Sequence, residues 1–166
     1  MAKRSSAGPS KAEGRVGLPL RLLAAGAGTG YLPFLPGTAG SLLGAALCFP
    51  LLSLPEPVYL GTVILFTLMA VWAAGRMAAE LDQADPPAVV IDEIAGMLWA
   101  GLALPPHAYD LAAAFLLFRV LDVVKPTPIP WLERLPAGLG IVADDVAAGL
   151  LARVAWWLLK VNFDFL

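Results

Sequence analysis

The stretch AVVIDEIAGMLWAGLAL, residues 88–104, decides how this chain folds. It reads as one apolar helix over residues 89–104, stopped by Pro105-Pro106, with two adjacent acids, Asp92 and Glu93, in its first turns. An ionised side chain in an apolar segment costs at least a few kcal/mol unless it faces a bundle interior, a cavity or a counter-ion. The same conflict recurs twice further along. Asp122 lies in FLLFRVLDVV (115–124), and Asp144-Asp145 lie in GLGIVADDVAAGLL (138–151). No segment alternates with period two, so the chain reads as all-α, a compact bundle of about five or six apolar helices, membrane-embedded or membrane-associated.

Composition agrees. Of 166 residues, 59% are apolar and 14% charged, and mean hydropathy is +0.77. Globular domains average roughly 45–50% apolar and ~25% charged. A disordered chain, a coiled coil and an ordinary water-soluble exterior are excluded. Net charge is −2, yet Lys3, Arg4, Lys11, Arg15 and Arg21 place five of the eleven cations in the first 21 residues. That is too sparse for a nucleic-acid surface, and suits the cytoplasmic flank of a membrane segment. Cys48 is alone in an apolar run, so no internal disulfide forms and the active face is expected on the reducing side.

Residues 1–17 read as a flexible basic tail and 18–166 as one helical domain. Glycines and prolines predict a loop or re-entrant segment at 29–38, followed by a helix over 41–54 bent near Pro50. Residues 58–75 are 18 positions without charge, the best spanning candidate. After a turn at 81–87 and the 89–104 helix, helices are expected over 111–124 and 144–161, with a connector at 131–140. Trp156 and Trp157 near the far end suit a membrane interface.

Three acidic clusters, with Asp82 and Asp85 near one of them, outnumber the nearby cations Arg119, Lys125 and Arg134. Such an excess of hard oxygen donors fits a divalent ion, Mg²⁺ above all, held with substrate phosphate. Arg119, Asp122 and Lys125 are spaced by three, so they share one helical stripe. Arg119 can fork onto phosphate oxygens, although an ordinary Arg119–Asp122 pair explains the spacing equally well. Asp144-Asp145 read as acids opening a helix, where capping accounts for one of them. In PGTAGS (36–41), Gly37, Thr38, Gly40 and Ser41 precede an apolar helix and offer a phosphate loop, or simply a turn with its cap. His107 has no second histidine to complete a zinc site, and Cys48 reads as packing.

Four blocks then occur in a recognisable order: GAGTGYLPFLPGTAGSL (26–42), DPPAVVIDEIAGM (85–97), FRVLDVVKPTPI (118–129) and GLGIVADDVAAG (138–149). The chain resembles the bacterial phosphatidylglycerophosphatase A family over most of its length. The resemblance implies a Mg²⁺-dependent phosphatase, which the apolar composition of this chain would place in the bacterial inner (cytoplasmic) membrane. Its substrate would be the terminal phosphate monoester of phosphatidylglycerophosphate, hydrolysed on the cytoplasmic side. Carried over by block, it implies metal ligation by Asp85, Asp92, Asp122, Asp144 and Asp145. It implies catalytic roles for Asp92, Glu93, Arg119 and Lys125, and phosphate binding by Gly37, Thr38, Gly40 and Ser41. No nucleic-acid partner is expected, and oligomeric state is open.

Other classes also bury acids. A cation or proton transporter does so, but needs neither Arg119 nor Lys125 beside them and shows paired broken helices in two halves. A membrane scaffold would tolerate loss of Asp92 and Asp122. A CDP-alcohol phosphotransferase would carry D-G-x-x-A-R, which is missing from the sequence.

Overall fold

A computed structural model describes residues 16–163. Most of the basic tail therefore lies outside the described residues. Among these, the chain forms seven α-helices and one 3-10 segment, with no strand. In order they are α1 (Leu18–Ala24), the 3-10 segment (Gly26–Tyr31), α2 (Pro36–Leu51), α3 (Glu56–Leu81), α4 (Ile91–Ala100), α5 (Ala108–Val124), α6 (Ile129–Leu132) and α7 (Gly138–Asn162). The all-helical expectation holds.

Proline sets several boundaries. Pro36 opens α2 and Pro57 sits in the first turn of α3, where the missing N–H is not needed. Asp82 and Lys125 end α3 and α5 in the left-handed conformation, with φ of 52° and 45°. The seven α-helices exceed the five or six expected, since the short α1 and α6 gave no periodic signal. Several boundaries also depart from the sequence reading: α4 ends at Ala100 rather than 104, and α5 begins at Ala108 rather than 111. Residues 36–41 are the first turns of α2 and not a preceding loop. Helix α7 begins at Gly138, so Asp144 and Asp145 lie in its second turn and do not cap it. Trp156 also departs: it is buried, and its Nε1 donates to Asp110 (2.8 Å), whereas Trp157 is exposed.

Cross-helix contacts fix the direction of each element. Residues early in α2 meet early α4, as Gly40 does Val90, and late α2 meets late α4, as Cys48 does Gly101. Asp145 meets Gly96, and Arg153 donates to the carbonyls of Leu102 and Ala103 (2.5 and 2.9 Å). Helices α2, α4 and α7 therefore run the same way. Helix α3 runs against them, since Tyr59 near its start donates to Leu98 O near the end of α4 (2.6 Å). So does α5: Asp110 at its start meets Lys160 late in α7, and Lys125 at its end meets Asp144 early in α7. The result brings three helix starts and two helix ends together at one pole of the bundle. Every acid singled out in the sequence sits at that pole.

Phe118, Ile91, Met97 and Leu98 are the largest apolar side chains shut off completely from solvent, each contributing roughly 1.5–3 kcal/mol through burial. A second cluster uses small side chains: Ala70, Ala73, Ala74 and Ala78 of α3 lie against Ile91 and Ala95 of α4 and Ile141 and Val142 of α7. The exterior is oily as well. Leu65, Leu68 and Trp72 of α3 and Leu116 and Val120 of α5 stay more than half exposed. Helix α3, at 26 residues, is long and apolar enough to cross a membrane. At 1.5 Å per residue it spans about 39 Å, against roughly 30 Å of hydrocarbon.

Candidate metal and phosphate site

At the acidic pole lies a cavity of about 150 Å³, lined by Asp85, Asp92, Glu93, Asp122, Asp144 and Asp145, together with Gly37 and Lys125. Asp92 and Glu93 occupy the first turn of α4 and meet Asp145 of α7. One oxygen from each of these three carboxylates lies within 4.8 Å of the others. Asp92 is 6% and Asp145 4% exposed. The Asp122 carboxylate lies beside that of Asp145, and the Asp92 carboxylate beside that of Glu93. Buried carboxylates this close repel when both are ionised, so each pair favours holding a proton or facing a cation.

Electrostatics make the same point. Burial, then the charges of Glu93 and Asp145, pushes Asp92 well above the ordinary aspartate range. Burial, then Glu93 and Asp122, does the same to Asp145. Glu93 is also raised, chiefly by burial. Asp92 Oδ1 and Glu93 Oε2 are buried without a hydrogen-bond partner. Orphaned carboxylate oxygens in an all-oxygen cluster fit a hard divalent cation, and Mg²⁺ matches that chemistry.

The cations stand beside this cluster. Arg119 Nη1 donates to Asp122 Oδ2 (2.6 Å) and to Ser41 Oγ (3.2 Å). Ser41 Oγ in turn donates to Gly37 O (2.8 Å), so a fully buried hydroxyl braces the guanidinium. Lys125 Nζ bonds Asp144 Oδ2 and Glu133 Oε1, each at 2.6 Å. Burial works against its charge, but these two acids hold the ammonium above its ordinary range. Asp85 is raised by burial, and Asp144 is raised by burial against the pull of Lys125.

The expected phosphate loop divides. Gly37 lines the cavity, and a Cβ there would fall 2.3 Å from Glu93 Oε1, so only glycine lets α2 approach this close. Gly40 is buried against Val90, Ser41 braces Arg119, and Thr38 is half-buried beside them. Glu93, expected with Asp92 in a catalytic role, stands beside Asp92 and Asp145 in the three-carboxylate cluster. Asp85, Asp122 and Asp144 line the cavity outside the three-carboxylate cluster. Glu133 went unnoticed in the sequence, because a lone acid in a turn-rich connector carries no periodic signal.

Comparison with known proteins gives the family. The family model for phosphatidylglycerophosphatase A matches residues 22–160. The chain belongs to the phosphatidylglycerophosphatase A family. Phosphatidylglycerophosphatase A of Escherichia coli is 37% identical over 136 residues, covering 81% of this chain and 79% of that protein. The Haemophilus influenzae protein of the same name is 36% identical over 149 residues, covering 85% and 91%. A Bacteroides thetaiotaomicron protein described as a putative phosphatidylinositol-3-phosphatase is 38% identical over 150 residues, covering 83% and 94%. No solved structure matches the chain. Membership places this protein among lipid phosphatases, and all four sequence blocks of the phosphatidylglycerophosphatase A resemblance fall within the matched region.

Proposed function

We propose that this protein is a Mg²⁺-dependent phosphatidylglycerophosphatase. It would hydrolyse the terminal phosphate monoester at the cytoplasmic face of a bacterial inner membrane, giving phosphatidylglycerol and phosphate. The observation that carries this reading is the convergence of Asp92, Glu93 and Asp145 within 4.8 Å, two of them with orphaned oxygens, beside the braced guanidinium of Arg119. The names of the E. coli and H. influenzae relatives support the substrate.

Asp92, Glu93 and Asp145 would hold the divalent ion, whose chemistry when bound is Lewis acidity toward phosphoryl oxygens and water. The protein's own groups do the rest. Arg119, fixed by Ser41 and Asp122, stabilises the charge that spreads over the equatorial oxygens in the transition state. The N–H groups of Gly37 and Thr38, in the first turn of α2 where the helix itself supplies no acceptor, would bind the same anion. Asp122, in contact with Asp145, orients the attacking water. The new bond joins water oxygen to phosphorus, and the bond from phosphorus to the glycerol oxygen breaks. Asp85, on the same wall, gives a proton to that leaving oxygen and regains one from the attacking water, so the step balances as alcohol plus phosphate. Lys125 and Asp144 form the rim.

An apolar exterior around one acidic pole supplies the physical reason for a lipid substrate: acyl chains stay in hydrocarbon while the headgroup enters the pole. The transporter reading gains nothing from the structure, because the clustered acids collect at one pole and Asp110, the buried acid at the other, is bonded to Trp156 and Lys160. The B. thetaiotaomicron relative's description favours one second reading, a phosphoinositide monoester, which shares the same phosphoryl chemistry. Purified protein in mixed micelles with phosphatidylglycerophosphate or phosphatidylinositol 3-phosphate separates them. Phosphate release from the former, abolished by chelation and restored by Mg²⁺, is expected. Release from the inositol lipid alone would replace the substrate, and release unaffected by chelation would refute the metal.

A further inference from the structure

A second cavity, of about 590 Å³, adjoins the catalytic one and shares Asp85, Ile141 and Asp144 as a common wall. It opens between the end of α3, the Asp82–Asp85 turn, the connector at Glu133–Ala137 and the start of α7. The 150 Å³ cavity falls below the roughly 300–1,000 Å³ of sites that enclose a whole small ligand. It has room for the phosphoryl end only. The alcohol released on hydrolysis must therefore lie elsewhere, and the larger cavity begins at the same wall.

Its chemistry narrows what enters. Asp82, Gln83, Asp85, Glu133 and Asp144 give it a polar, acidic side, while alanines 78, 79 and 84 keep it wide. Among the described residues no cation lines it; Lys125 nearby is already engaged by Glu133 and Asp144. A second anion finds no counter-charge there. Hydroxyl groups do find acceptors, because carboxylates and the Gln83 amide oxygen accept from O–H. Asp82 is held in the left-handed conformation (φ 52°) at the end of α3, on this wall.

We propose that this cavity is the subsite for the hydroxyl-bearing alcohol from which the phosphoryl group is cleaved, with Asp82 and Gln83 as its specificity-determining residues. The assignment rests on the phosphatase reading above. A site built to bond a substrate hydroxyl rejects the analogue lacking it far more strongly than an apolar pocket rejects a missing methylene. The phosphodiester and acyl chains stay outside, toward the lipid.

The test compares kcat/KM for phosphatidylglycerophosphate with that for the analogue in which propane-1,3-diol replaces the headgroup glycerol, so that only the central hydroxyl is lost. The unaltered protein is expected to favour the glycerol lipid at least tenfold. Asp82→Gly, which suits the left-handed backbone, and Gln83→Ala are each expected to cut that preference to threefold or less. Ala79→Phe, which fills the cavity without removing a polar group, is expected to raise KM for both lipids by tenfold or more. A preference that stays within twofold of the unaltered value in both polar variants would overturn the subsite. No phosphate release from either lipid by the unaltered protein would instead overturn the phosphatase reading and the subsite with it.

Discussion

Gly149 of α7 lies so close to Gly96 of α4 that a Cβ at position 149 would fall 2.1 Å from the Gly96 carbonyl oxygen. This backbone contact, four residues beyond Asp145 and three beyond Glu93, sets the distance across which the carboxylates face one another. Overpacking ordinarily costs roughly 1–3 kcal/mol, and here the obstacle is backbone, not a flexible side chain. Gly149→Ala is therefore expected at or above the top of that range, with phosphate release falling at least tenfold. Thermal unfolding in detergent beside an activity assay checks it; a variant matching the parent in both would show that α4 and α7 have slack.

Ser41 acts through Arg119. Its hydroxyl accepts from Nη1 and donates to Gly37 O, so Ser41→Ala leaves the guanidinium on Asp122 alone. A hydrogen bond to a charged group contributes about 1.5–3 kcal/mol, which corresponds to roughly a ten- to hundredfold drop in kcat/KM. Arg119→Lys keeps the charge but loses the fork, and is expected to cost more. Steady-state kinetics that rank Ser41→Ala below Arg119→Lys would contradict this order.

Metal removal should make stability depend on pH with a definite sign. Asp92 and Asp145 each have a folded-state pKa raised well above 3.8 by burial and like charge. Between the unfolded and folded values the folded state holds more protons, so stability falls as pH rises through that window. Chelated protein should thus unfold at lower temperature as pH climbs above about 4, and added Mg²⁺ should reverse the loss. Asp145→Asn, which removes one like charge, should raise the unfolding temperature in chelator while abolishing phosphate release. A chelated protein that becomes more stable with rising pH would contradict the assigned burial.

Asp110 marks the opposite pole. It is fully buried and accepts from Trp156 Nε1 and Lys160 Nζ, each at 2.8 Å, tying the start of α5 to the end of α7. Burial opposes its charge, but these donors, with His107, hold its carboxyl below the ordinary range. Asp110→Ala orphans the indole N–H, costing about 1–3 kcal/mol. Unfolding temperature should fall while kcat per folded molecule stays within twofold. A large kcat effect would mean the two poles are coupled.

The acids were legible in the sequence because charge inside an apolar run is expensive: Asp92, Glu93, Asp122 and Asp145 stood out on that ground alone and converge in the structure. Their helical framework was less so. Residues 131–140 read as a connector with the last helix opening at 144, yet Gly138 is packed on Val71 and Gly75 of α3, and that tertiary contact carries α7 back past Asp144. Likewise 36–41 looked like a loop, because its glycines give no hint that Glu93 and Val90 need the space they leave. The bracing of Arg119 by Ser41 spans 78 residues and the larger cavity joins three separate segments, so no local pattern announces either.

Manganese, a spectroscopic stand-in for Mg²⁺, reports most directly on whether α4 and α7 build one cation site. Titrating detergent-solubilised protein and following free Mn²⁺ by electron paramagnetic resonance should show saturable uptake that Mg²⁺ displaces. The Asp92→Asn/Asp145→Asn double variant should lose it. Equal uptake by parent and double variant, or none by the parent, would contradict the convergence of Asp92, Glu93 and Asp145 on a divalent ion.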